Sequence, residues 1–143
     1  MKIKSLFAIA FVLFLSACAQ NSKSMELKQL EGYFLRNDVT IDKTPKTLQI
    51  RDRETFEKYF GIGKTMTNTI TELDFDKYFY VAEIVEVNGA LKEIEVISAT
   101  SRGTSCMIIY SINERPGSTF KANTFVAFEV PKSVTQVVVM NEQ

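Results

Sequence analysis

The chain has 143 residues, 17 basic and 17 acidic side chains, two cysteines and no histidine. Without histidine, Ser-His and Cys-His nucleophilic machinery and the usual zinc sites are excluded together. Balanced charge with no basic stripe offers nothing to a phosphate backbone, so no nucleic acid partner is expected.

Lys2 and Lys4 precede an uncharged apolar core, Leu6 to Leu15, which ends in Leu15-Ser16-Ala17-Cys18. A positive start, a short apolar core and small residues make the layout of a secretory signal. The apolar run is about ten residues, against roughly 20 needed to span a bilayer as a helix. The cysteine directly after Leu-Ser-Ala matches the bacterial lipobox, in which the new first residue takes the lipid through its thiol. Residues 1–17 are therefore read as a lipoprotein signal peptide and Cys18 as a lipidated cysteine. An ordinary secretory signal followed by an incidental cysteine is the plainer alternative. One acyl chain holds a protein only marginally, whereas the two or three of a palmitate-bearing lipoprotein hold it effectively permanently. Ala19 stands where aspartate commonly marks inner-membrane retention, and no acidic run follows Cys18. That resembles outer-membrane lipoproteins, so the expected location is the outer membrane, facing the periplasm.

Removing residues 1–17 leaves 126 residues, enough for one domain, and removes two lysines for a net charge of −2. With Cys18 acylated, Cys106 has no partner for a disulfide. It lies in the apolar run Cys106-Met107-Ile108-Ile109-Tyr110, where a cysteine usually behaves as a small buried hydrophobe. Residues 18–28 read as the lipidated cysteine and a flexible tether, and 29–143 as a single domain.

Glu31 to Asn37 reads as a short strand ended by Asn37-Asp38, and Thr47 to Ile50 alternates like a half-buried strand. A helix follows. Asp52 can cap it, Glu54 and Lys58 pair at i,i+4, and Gly61 can close it. Phe56, Tyr59 and Phe60 fall on one face. Gly61 to Leu73 is expected to be an ordered loop. Tyr78 to Val87 is apolar at both parities over its first half, which predicts a central strand covered on both faces. Asn88-Gly89 predicts a two-residue hairpin. A return strand is expected next, with Ile94 and Val96 on one face and Glu93 and Glu95 on the other, and further strands at Ser105 to Ile112, Phe120 to Val130 and Val134 to Met140. Turns are expected at Ser101-Arg102-Gly103 and at Arg115-Pro116-Gly117-Ser118. The predicted class is α+β: mainly an antiparallel β-sheet meander with one packed amphipathic helix.

Few motifs survive inspection. Gly61-Ile62-Gly63-Lys64-Thr65 ends like a phosphate-binding loop, but its first glycine position holds Lys58 and it follows a helix rather than a strand. No nucleotide is expected there. Asp74 and Asp76 form the best carboxylate pair, yet lack the ligand spacing of a calcium loop or a second catalytic group, and turn formation accounts for them. Glu83 and Glu86 are three apart in a strand and should face opposite sides. The expectation is no catalytic residue, no metal, no cofactor and no enzyme. Arg102 and Gly103 at one tip, and Arg115, Pro116 and Gly117 at another, suit contact with a protein partner, and equally suit inert turns. In a meander these two tips fall at opposite ends of the sheet, with Asn88-Gly89 beside Arg115.

From Leu48 to about Val139 the order of parts resembles the C-terminal domain of the PrcB-like protease-complex accessory lipoproteins. The likeness lies in the Phe56-to-Phe60 helix, Asp74-Phe75-Asp76 leading into an apolar strand, and a late strand ending at Pro131. Asn88-Gly89-Ala90-Leu91 replaces the Gly-Gly-Tyr turn frequent in that family, so no binding role is carried over to it. The resemblance implies a non-enzymatic envelope lipoprotein that stabilises or inhibits a peptidase. The alternative from another class is a small-molecule or glycan carrier, with the 11 phenylalanines and five tyrosines lining its site.

Overall fold

A computed structural model describes residues 21–63 and 69–142. Cys18, the signal-like residues before it, and Lys64 and Thr65 of the glycine-lysine-threonine stretch lie outside these residues. The fold is mostly antiparallel β-sheet with a single short helix among the described residues.

Two very long strands dominate it, β6 (Tyr78–Arg102) and β7 (Ser105–Pro131), joined by a tight turn and paired along their whole length. To number the rest in chain order, β1 is Lys23–Ser24, β2 Lys28–Gln29, β3 Tyr33–Leu35, β4 Lys46–Ile50, α1 Arg53–Tyr59, β5 Phe60–Ile62 and β8 Gln136–Asn141. The lower half of the ribbon carries β4 beside β6 and β2 beside β7. Its upper half carries β1 beside β6 and β8 beside β7.

The ribbon replaces the expected meander. Asn88-Gly89 does not reverse the chain, and Asn88 pairs across to Lys121 while Ala90 pairs to Pro116. Side-chain pairing explains the outcome. A hairpin at Asn88-Gly89 would set Glu93 opposite Ile84 and Glu95 opposite Ala82, inserting charges into a strand buried on both faces. The observed register sets Phe125 opposite Ile84 and Ala127 opposite Ala82. Register follows burial rather than local turn preference.

The turn chemistry bends the ribbon instead. Between Asn88 and Ala90 the register shifts, with Gly89 alone facing the extra residues 117–120. Gly117 has φ +135, a backbone conformation that suits glycine. Phe79 and Ala99 would lie about 65 Å apart on a straight strand at ~3.3 Å per residue. They share one core cluster with Cys106, Ile108 and Val130, so the ribbon doubles back at this waist and its halves pack face to face.

The same fold-back explains β8. It pairs parallel to β7, not antiparallel as expected, with Ser105 opposite Gln136 and Met107 opposite Val138. Parallel neighbours normally need a crossover of a dozen or more residues. Here residues 132–135 suffice, because the end of β7 has returned to its beginning: the Thr135 N–H donates to the Thr104 carbonyl at 2.8 Å.

The outer face of the lower half packs Tyr80, Ala82 and Ala127 against Ile50, Phe56, Phe60 and Leu30. Strand β6 from Phe79 to Val85 is thus buried on both sides, as its mixed-parity apolar run requires. Helix α1 begins where Asp52 accepts the Thr55 N–H at 2.7 Å, and it carries the Glu54–Lys58 pair at 3.2 Å. Gly61 does not close it. Phe60 is already extended and leads into β5, which pairs with β3. A Cβ at Gly61 would stand 2.5 Å from Cζ of Phe34, so the glycine makes room for that ring.

Residues 23–30 are not a tether. β1 and β2 pair with opposite halves of the ribbon, and Met25 and Leu27 between them pack against the inner core. Among the described residues, strand pairing therefore begins at Lys23, ahead of the expected domain start at residue 29.

Candidate functional site

Four places hold the residues with chemistry to offer. The first is the Asp74 turn. Asp74 Oδ1 accepts the backbone N–H groups of Asp76 at 3.1 Å and Lys77 at 3.2 Å, and Oδ2 meets Lys77 Nζ at 3.0 Å. The bond from Lys77, then those backbone donors, hold its carboxyl below the usual range. The Asp74 N–H donates to the Tyr80 hydroxyl at 2.7 Å, so this carboxylate builds the entry into β6. It borders an open groove of about 800 Å³ with Arg53, Asp76 and Glu129, but its own lone pairs are committed to the turn.

The second is Glu83, buried between the two halves of the ribbon. Tyr110 Oη donates to its Oε1 and Thr47 Oγ1 to its Oε2, each at 2.6 Å. Burial, then the neighbouring carboxylate, pushes the Tyr110 phenol well above its ordinary range. The void beside them has a volume of about 10 Å³. It holds one water at most. The third is Cys106, free and buried with Sγ 3.6 Å from Met25 Sδ. Burial pushes its thiol up, away from the thiolate a nucleophile needs.

The fourth is an open groove of about 670 Å³ along the β6 edge. Met25 and Leu27 form one wall, Val126 and Phe128 line it from the lower half, and Glu93 to Ala99 form the other wall. Arg115 Nη2 bonds Glu93 Oε2 at 3.0 Å, and Asn113 Nδ2 bonds Glu95 Oε2 at 3.0 Å. Among the described residues no strand pairs with this edge between Glu93 and Ser98; β1 reaches only Thr100 and Ser101. A β-bulge sits between Val96 and Ser98, and it leaves Ile97 half exposed. Such a bulge twists an edge and restricts what can pair with it.

The structure separates the two predicted tips. Arg102 and Gly103 occupy the turn between β6 and β7, with Gly103 at φ 60. Arg115, Pro116 and Gly117 are not a tip at all but lie within β7 at the waist, opposite Leu91 and Ala90. Asn88-Gly89 lies beside them within the ribbon rather than as a neighbouring hairpin tip, and only Arg115 of the five reaches the edge groove. Arg102 instead lines a smaller groove with Ser22, Met107 and Val138. Sequence reading missed Ile97, Met25 and Leu27. The sign of the bulge is visible in Ile94, Val96, Ile97 and Ala99, where alternation slips by one.

Among the described residues no group of three or more Cys, Asp or Glu side chains is placed to hold a metal ion, and no helix is long and apolar enough to cross a membrane. Comparison with known proteins found no matching family model, no matching curated protein and no matching solved structure.

Proposed function

We propose that this is a lipid-anchored, non-enzymatic envelope protein that binds a protein partner by receiving an extended segment along the β6 edge. The carrying observation is that edge: an unpaired stretch from Glu93 to Ser98, bordered by a groove and marked by exposed Ile97. Backbone groups on an open edge supply affinity, and alternate side-chain pockets supply selection. Glu93 and Glu95 with Arg115 and Asn113 give the rim a polar code, while Leu27 and Phe128 give an apolar floor.

In this reading Cys18 carries the anchor, and the protein faces the periplasm from the outer membrane. Helix α1 is a packed amphipathic support, with Phe56 turned into the core and the Glu54–Lys58 pair outside. A peptidase is the partner class that the PrcB-like resemblance supports. A small-molecule or glycan carrier would need an enclosed apolar site, and the void beside Glu83 is too small for one.

The test is recovery of a stoichiometric partner from native envelope extract by the intact chain, compared with Ile97→Asp and Arg115→Glu chains of unchanged fold. The expected result is a partner lost from both variants. A partner held equally by all three chains would move the site elsewhere, and no stoichiometric partner at all would count against a protein-binding role.

A further inference from the structure

We infer that the outward face of β7 and β8, at the end of the molecule where the described chain begins, rests on the lipid surface. The inference depends on the reading of Cys18 as lipidated. It commits to bilayer lipid as the occupant, and the edge groove is left for the protein partner.

The face is apolar where a solvated sheet would be polar. Met107 and Val138 are paired neighbours on β7 and β8, and both are exposed, by 39% and 43%. Met140, one step on and opposite Ile109, is 50% exposed. Inward-facing residues of the same strands, Cys106, Ile108, Val137 and Val139, already supply the core, so the fold has no use for apolar side chains on the other side. Exposed apolar neighbours on an unpaired edge strand are the arrangement that soluble sheets avoid.

Chain length identifies the occupant. β1 is locked to Thr100 and Ser101, which places Ser22 on the rim of the groove that contains Met107 and Val138. Cys18 stands four positions before Ser22 in sequence. Fully extended, that link spans at most about 14 Å. An acyl group on Cys18 is thus delivered near Ser22, on the side of the molecule where that residue borders this face. Apolar faces at an interface enter the lipid by ~5–10 Å. The short link turns one end of the domain toward the membrane and holds it there.

The chain has no tryptophan, so single tryptophans report cleanly. Val138→Trp and Met140→Trp are placed on the face, and Phe34→Trp, at an exposed position on β3, serves as the remote control. Each full chain is purified from membranes, its Cys18 acylation is measured by intact mass, and it is reconstituted in phosphatidylcholine vesicles with and without brominated acyl chains. The expected result on acylated protein is loss of emission at 138 and 140 in brominated vesicles, with none at 34. Equal, unquenched emission at all three positions on acylated protein would overturn the proposal while leaving the anchor intact. A blue shift at 138 and 140 that follows protein density but ignores bromine would assign the face to a second copy and overturn it. Absence of acyl mass on Cys18 would remove the anchor, and with it this inference.

Discussion

Tyr110 donates a hydrogen bond to Glu83 across the two halves of the folded ribbon, at 2.6 Å. The residues are 27 positions apart and belong to different strands, so this bond exists only when the ribbon has doubled back. It ties a buried carboxylate to the fold-back itself. Thr47 on β4 occupies the second oxygen, so Glu83 reads out three strands at once.

Tyr110→Phe should therefore destabilise the protein by about 1–3 kcal/mol, the cost of leaving a buried acceptor unpaired. Urea unfolding measures it. Thr47→Val should cost less than Tyr110→Phe, because its bond is only partly buried. The double variant should be non-additive, since both bonds end on one carboxylate. Simple additivity would mean that Glu83 finds other donors.

Titration gives a second expectation. Tyr80 has its phenol pushed up to about 12, chiefly by burial, against an ordinary value of 10.0. A group whose folded pKa lies above its unfolded one contributes stability that is fully present below the unfolded pKa. That contribution is lost as pH rises toward the folded value. Stability should hold up to pH 10 and decline between there and about 12. Tyrosinate absorbance should show the Tyr80 signal appearing together with unfolding. At the acid end the sign reverses. Asp74 is held below its ordinary value of 3.8, so its contribution disappears as pH falls under that value.

Two glycines should respond unequally to alanine. Gly32 has φ +81, and a Cβ there would meet Ile70 Cγ1 at 2.8 Å and the Ile70 backbone at 2.9 Å. Backbone strain alone costs roughly 1–2 kcal/mol in that region, and the backbone clash adds to it. Gly61 would meet only the ring of exposed Phe34, which can swing into solvent. Gly32→Ala should lower the melting temperature clearly, and Gly61→Ala should lower it little. A large loss at Gly61 would show that Phe34 is held in place.

Cys106 should be unreactive in the native chain. In a Cys18→Ser background, modification by a thiol reagent should proceed at the rate of unfolding rather than at the rate of an exposed thiol. Fast labelling under native conditions would show that the inner core opens locally.

What the sequence revealed depended on the range of the forces involved. The α1 cap at Asp52 and the Glu54–Lys58 pair are interactions over three or four residues, and they stand where local chemistry puts them. The doubly buried run at Phe79 to Val85 was legible because composition alone records burial on two faces. Asn88-Gly89 misled because its local preference is small beside the pairing of Ile84 with Phe125 and Ala82 with Ala127, some 40 residues away. Met25 and Leu27 were unreadable for the same reason: two apolar side chains among charges become core residues only when Ala99 is there to accept the Met25 N–H. Of the candidate site, Arg115 was found and Ile97 was not, since an edge is defined by which strand fails to arrive.

The nesting of the ribbon also sets an order of events. A chain that emerges amino end first exposes β1 through β5 while the residues that pair with β1, β2 and β4, from Tyr80 to Glu129, are still being made. Only β3 and β5 can meet early. β1, β2 and β4 must wait for β6 and β7 to arrive. Contacts of such long sequence separation are slow to form. The amino-terminal strands are therefore the part of this protein that stays longest without its partners as the chain folds.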